Sequence, residues 1–300
     1  MIGITLGLLA AMGHSLAYLA TRWFTKDRGR PLRHLLVIAH VIMGLVSAAA
    51  LVALWPEDLG FEASWLLRLT GLVGFFVVAQ VSLLSTLPMV DASRVAPLLG
   101  FKTVVLAVIA VAMGESIGGL QWAGVALAVA AAWVLNDVGG RLPWRVTVLV
   151  ALACVSYGIA DTFILGTVRE VQRLTGDHSV LGAPVFVAAS VYTAVGLIAA
   201  AFLPAARRAP AAAWRDAMPY AAIWLLTMVV LYGTFAAVGT VLGSILQSFR
   251  GLISIVLGIA LAAAGWQHLE QKHGWATQLR RIGAALLMCG AVALYVLGGR

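Results

Sequence analysis

Three hundred residues that are 62% hydrophobic and only 11% charged lack the charged surface of a soluble domain, in which about a quarter of residues carry charge. A mean hydropathy of +0.99 points the same way. The surface must face lipid, which leaves no room for a soluble domain of any size. The net charge of +8 comes mainly from loops beside apolar runs, where it reports membrane topology rather than affinity for nucleic acid.

Helices that cross a membrane need about 17–25 apolar residues. Such stretches recur at 2–20, 35–55, 65–87, 95–113, 119–136, 144–166, 181–203, 218–238, 241–264 and 280–298. Barrel strands would alternate apolar and polar residues, and runs such as Val104–Ala112 and Val125–Val134 do not. The expectation is an all-α integral membrane protein of ten transmembrane helices. No basic n-region precedes the first stretch, so it reads as a retained span.

Along the chain, polar groups inside these spans are few. The first span carries His14 and Tyr18, four residues apart and so on one helical face; the second carries His40, read as a packed bundle histidine. Gln80 lies in the third span and Lys102 in the fourth. Tyr157 and Asp161, again four apart, lie in the sixth, Tyr192 in the seventh and Tyr232 in the eighth. The ninth holds Gln247, Ser248 and Arg250. A cation at the centre of a membrane helix costs at least about 2.5–3.5 kcal/mol on insertion scales, so intramembrane charge marks function by default. Lys102 and Arg250 are therefore candidates for binding an anionic or carboxylate-bearing solute. The bland reading is that each snorkels or pairs with an acid such as Asp161. Asp161 itself reads as such a counter-charge or as a proton carrier, and the tyrosines, glutamines and His14 as cavity lining or as interhelical hydrogen bonds. Glu115 is expected to cap the start of the fifth span. Pro88, Pro97 and Pro184 start helices or act as hinges. Most tryptophans fall at span ends, as interfacial anchors.

Cys154 and Cys289 both lie in apolar spans, which implies neither a disulfide framework nor a metal cluster. Catalytic and nucleotide-binding signatures are absent. The chain reads as a non-enzyme without cofactor or metal, and any transport as secondary, by exchange, ion coupling or facilitated diffusion. Loops after odd-numbered spans hold most of the arginines and lysines, including Arg22, Lys26, Arg94, Arg141 and Lys272, and the loop Pro56–Ser64 is acidic. The positive-inside rule then puts both termini outside.

Two halves of the chain look alike. Pro97-Leu-Leu-Gly-Phe101-Lys102 in the fourth span matches Ile245-Leu-Gln-Ser-Phe249-Arg250 in the ninth, each with an aromatic followed by a cation. Gly124–Leu135 resembles Gly283 onward, and His14 and Tyr18 pair with Tyr157 and Asp161. Residues 1–138 and 139–300 are read as two five-helix repeats. An odd number of crossings inverts the second relative to the first, an architecture of secondary transporters whose site lies between the repeats.

The run Ala112-Met-Gly-Glu115-Ser-Ile-Gly-Gly-Leu-Gln121-Trp-Ala-Gly124 resembles the junction between the fourth and fifth helices of EamA-type repeats, in the drug/metabolite transporter superfamily. Leu87–Leu99 resembles their preceding junction. The second half departs, with an expanded junction and a displaced Glu270. The resemblance implies a ten-helix alternating-access transporter of the bacterial inner membrane, its cavity lined mainly by helices 1, 3, 4, 6, 8 and 9. Members commonly keep their termini in the cytoplasm, opposite to the charge bias here. The implied partners are a small-molecule metabolite, the lipid bilayer, and a coupling proton or counter-substrate, with no nucleic acid. Alternatives are export of neutral or cationic amino acids or amines, and a flippase or accessory subunit for a polyprenyl-phosphate-linked lipid. The latter predicts basic residues at headgroup depth beside a lateral opening.

Overall fold

A computed structural model describes the chain except at residues 58, 87–88, 90–95, 137–142, 178, 264–274 and 300. Arg94, Arg141, Glu270, Lys272, Pro88 and most of the junction after the third span lie outside the described residues.

Long apolar segments in lipid must satisfy their own backbone, and helices do so within one segment. The chain forms α1 (Ile2–Arg22), continued by a π-helical turn (Trp23–Asp27), then α2 (Leu32–Ala53) and α3 (Ala63–Thr86). A 3-10 turn (Ala96–Phe101) leads into α4 (Lys102–Ala112), followed by α5 (Gly119–Asn136), α6 (Trp144–Thr175) and α7 (Gly182–Ala201). After a single turn (Leu203–Ala206) come α8 (Ala211–Val238), α9a (Thr240–Ser248), α9b (Arg250–Ala263) and α10 (Trp275–Gly298). Among the described residues, six helices are long and apolar enough to cross a membrane: α1, α2, α3, α6, α7 and α8. Shorter apolar helices cover Leu98–Ala112, Gly119–Ala131 and Ile282–Gly298. Each expected span coincides with a helix or a broken pair.

Two boundaries differ from expectation. α6 has 32 residues, about 48 Å at 1.5 Å per residue, and extends past a hydrocarbon core of about 30 Å. Its last turns carry Arg169, Glu170 and Arg173, read from hydropathy as loop. Glu170 accepts from Arg173 in an i,i+3 pair at 2.9 Å, which lets the helix continue into the polar zone. α8 likewise starts at Ala211 rather than near 218, with Pro219 inside it. Asp216 thus falls on a helix, 3% exposed, and forms an ion pair with Arg30. Asp161 and Asp216 are both buried acids.

The most extensive packing joins α1 to α8, α3 to α6, α2 to α7 and α5 to α10. Exchanging each helix for the one five places along maps these pairings onto one another. α2 and α7 cross at Gly44 and Gly196, where a Cβ on Gly44 would lie 2.6 Å from the Gly196 Cα. Without a hydrophobic drive between helices in lipid, such close backbone approach supplies van der Waals contact instead. The main apolar core, with Phe76, Phe186, Tyr192, Trp224 and Phe235, lies among α2, α3, α6, α7 and α8.

Candidate functional site

Two interrupted helices organise the polar residues. At the foot of α4 the 3-10 turn gives way to α-helix after Phe101, with φ −60° and ψ −21°. Between α9a and α9b the break falls on Phe249, with φ −60° and ψ −20°. The cation that follows each phenylalanine, Lys102 or Arg250, opens the next helical segment. The breaks touch: Thr103 Oγ1 and Ser244 Oγ share a hydrogen bond of 3.0 Å.

Each break also receives a donor from a long helix of the other half. The Ser15 hydroxyl on α1 donates to the Arg250 carbonyl at 2.8 Å. Cys154 Sγ on α6 donates to the Leu98 carbonyl at 3.5 Å. A carbonyl near a helix break loses part of its intrahelical bonding, and in an apolar setting another donor must compensate.

The charges differ. Lys102 Nζ lies 2.6 Å from Asp161 Oδ2, with side chains only 10% and 6% exposed. The sequence left Lys102 open between cargo and counter-ion; it has a buried counter-ion. Arg250 is half-buried, and among the described residues no carboxylate lies within ion-pair distance of it. It sits within electrostatic reach of His14, Tyr157, Asp161 and Cys154. The cluster thus holds two cations and one carboxylate, a net positive charge in a buried place.

Around the charges stands an aromatic wall. His14 Nδ1 contacts the Ala10 carbonyl at 2.9 Å; a carbonyl can only accept, so this nitrogen carries the proton and Nε2 is left as an acceptor. The imidazole meets the Trp224 ring edge-on at 5.2 Å. Trp224 stacks with Tyr220 at 5.5 Å and donates its indole N–H to the Tyr192 hydroxyl at 2.7 Å. Phe76 bridges Tyr192 and Tyr157 at 6.2 and 6.3 Å. Tyr18 on α1 is half-buried, as is Gln80, one turn beyond Phe76 on α3. The Tyr232 hydroxyl and Gln247 Nε2 are buried with no hydrogen-bond partner. Unmade hydrogen bonds of buried groups cost about 1–3 kcal/mol each, so both are candidates to meet a ligand.

Residues the sequence reading passed over are Trp224, Tyr220, Ser15, Thr103 and Ser244. Trp224 alone offered a signal: it is a tryptophan in the middle of a span, where the others sit at ends. His40 is a packed residue, its Nδ1 against the Leu36 carbonyl at 2.7 Å. Glu115 is exposed and does not cap α5. The side-chain oxygen of Gln121, in the same motif, accepts from the Gly118 N–H at 2.9 Å instead. Among the described residues no group of three or more potential metal ligands occurs.

Comparison with known proteins fits this architecture. The model of the EamA-like transporter family matches residues 1–137. No curated protein matches the chain. Among solved structures, a protein crystal structure with no stated function superposes with a TM-score of 0.68 at 17% identity, over 98% of this chain and 96% of its own. At that identity the likeness is one of fold.

Proposed function

Through residues 1–137 the chain belongs to the EamA-like transporter family, part of the drug/metabolite transporter superfamily, and from that premise we propose that it carries a small organic solute bearing an anionic group by secondary, alternating-access transport. It is a membrane transporter of the drug/metabolite type. The observation behind the anionic cargo is the unequal charge at the two helix breaks: Asp161 neutralises Lys102 at 2.6 Å, while among the described residues Arg250 has no carboxylate of its own. Arg250 is half-buried, so its charge keeps part of its hydration, and a carboxylate or phosphate on the cargo would supply the counter-charge on arrival. Guanidinium suits planar oxyanions because it binds them bidentately.

In this reading Gln247 and Tyr232 contribute neutral hydrogen bonds, and Trp224, Tyr220, Tyr157 and Tyr18 enclose the apolar body of the cargo. The same reading makes residues 1–138 and 139–300 inverted repeats; the matched backbone at Phe101 and Phe249 and the paired helix contacts support it. Two similar halves can close either end of a shared hollow at nearly equal free energy, which is what alternating access requires. Asp161 serves as counter-ion rather than proton carrier, so energy comes from a counter-substrate or the solute gradient. The chain has no catalytic step in this scheme, and its proposed place is the bacterial inner membrane.

The test is a thermal-stabilisation screen of purified protein against a few hundred metabolites, repeated with Arg250→Gln. Carboxylates and phosphates should dominate the wild-type hits and vanish in the variant. Hits dominated by amines or neutral amino acids, equally strong in both proteins, would overturn the anionic cargo. The transporter assignment would stand.

A further inference from the structure

Away from the helix breaks, a groove of about 710 Å³ opens beside α3 and α6, lined by Ser64, Leu67, Arg68, Thr70, Gly71 and Phe163. Its floor exists because two positions lack side chains. A Cβ on Gly71 would lie 2.8 Å from the Phe163 ring, and one on Gly166 would lie 2.9 Å from Arg68 Nη1. The guanidinium therefore rests against bare α6 backbone, at the rim of an apolar trough. Arg68 is five residues into α3, about 7.5 Å along its axis, near enough to the end of the apolar span for its long side chain to reach headgroup level rather than the bilayer centre. The nearby carboxylate, Glu170, is already gripped by Arg173 through both oxygens, at 2.9 and 3.3 Å. Among the described residues Arg68 has no ion-pair partner.

From this geometry we infer that the groove is a binding site for an anionic glycerophospholipid, with the phosphate on Arg68 and an acyl chain along Leu67, Gly71 and Phe163. The Thr70 hydroxyl donates to the Leu66 carbonyl at 2.9 Å and that of Ser64 to Glu170, so each offers an acceptor oxygen that suits a headgroup glycerol hydroxyl, and the phosphate falls to Arg68. A volume within the usual range for ligand sites, about 300–1,000 Å³, accommodates a headgroup and the first part of a chain. Basic side chains at this level are the recognised means of holding anionic lipid.

The experiment measures thermal unfolding of delipidated protein in detergent with phosphatidylglycerol, phosphatidylcholine of the same chains, a long-chain polyprenyl phosphate, or inorganic phosphate. Phosphatidylglycerol should raise the midpoint more than phosphatidylcholine, and native mass spectrometry should retain it as a bound adduct. Arg68→Gln should remove that extra increment and the adduct while leaving the lipid-free midpoint near wild type. If Arg68→Gln yields no folded protein, Arg68→Lys still reads the site, with a reduced increment, because an ammonium cannot bind bidentately. Equal effects of the two phospholipids, or an undiminished increment in the variants, overturn the inference. So does stabilisation by inorganic phosphate alone, or stronger stabilisation by the polyprenyl phosphate, which would reassign the groove to that lipid.

Discussion

Lys102 and Arg250 follow phenylalanines of nearly identical backbone geometry, yet among the described residues only the first has a carboxylate at ion-pair distance. On the lysine side, α6 brings Asp161; on the arginine side, α1 brings Ser15 to the Arg250 carbonyl, and the α1 position matched to Asp161 in the sequence is Tyr18. Where one half places an acid, the other places a phenol. The duplicated scaffold therefore sets the position of the charges, and the divergent residues on α1 and α6 set which charge remains for a ligand. An ion pair between buried groups is weak evidence for stability in itself, but removing one partner leaves an uncompensated charge.

The sharpest break in the comparison follows from that last point. Lys102→Met or Asp161→Asn alone should destabilise the protein by about 3–5 kcal/mol, while Lys102→Met combined with Asp161→Leu should recover most of the loss. Unfolding in detergent reads the effect, and transport by the double variant should persist. Additive losses in the double variant, or transport lost with stability intact, would place the pair in the transport machinery instead.

Arg250→Gln should behave in the opposite manner. Stability should change by less than about 1 kcal/mol, because no internal partner is orphaned, while affinity for a carboxylate solute falls by about 1.5–3 kcal/mol, the worth of a hydrogen bond to a charged group. That is on the order of 10- to 150-fold, read by solute-dependent thermal shift. A large stability loss with unchanged affinity would make Arg250 a structural residue like Lys102.

How far this was visible in the sequence depends on the element. Every span was legible because hydrophobicity of membrane length has few other meanings, and the Phe-cation repeat was legible because cations are scarce in spans. The ends of α6 and α8 were not: Arg169, Arg173 and Asp216 look like loop residues to a hydropathy reading, whereas i,i+3 pairing and the Arg30–Asp216 ion pair keep those turns helical. Nor could spacing decide between cargo and counter-ion for Lys102. His14 and Tyr18 share a face of α1, and Tyr157 and Asp161 a face of α6, by simple periodicity. Which neighbour each face meets is a long-range fact, set by the crossing of separate helices. Trp224 and Tyr192, 32 residues apart, hydrogen-bond for the same reason.

Transplanting the acid sharpens the contrast further. Tyr18→Asp would give Arg250 the partner that Lys102 already has, and anion affinity should fall about tenfold, which is 1.4 kcal/mol, with no comparable loss of stability. Unchanged affinity would show that Tyr18 and Asp161 are not equivalent positions, and would weaken the case for paired repeats. Trp224→Phe has a smaller expected effect. It keeps the ring beside His14 and Tyr220 but removes the N–H that fixes Tyr192, for about 0.5–1.5 kcal/mol in stability or solute affinity.

The smallest effect falls on the contact that joins the two breaks. Thr103 and Ser244 share one hydrogen bond across the halves, and such bonds in membranes average about 0.6 kcal/mol. Thr103→Val and Ser244→Ala should each cost about that much, and the double variant little more, because both remove the same bond. A double-mutant cycle on thermal unfolding measures the shared term. If alternating access moves one break past the other, the bond exists in only one of the two states. Its loss then shifts their ratio roughly threefold, since a ligand or a contact moves an equilibrium only by its differential energy. Transport rates in the two directions would change unequally in both single variants. Equal changes, or strictly additive costs in the cycle, would show that the breaks move together and that the rocking surface lies elsewhere.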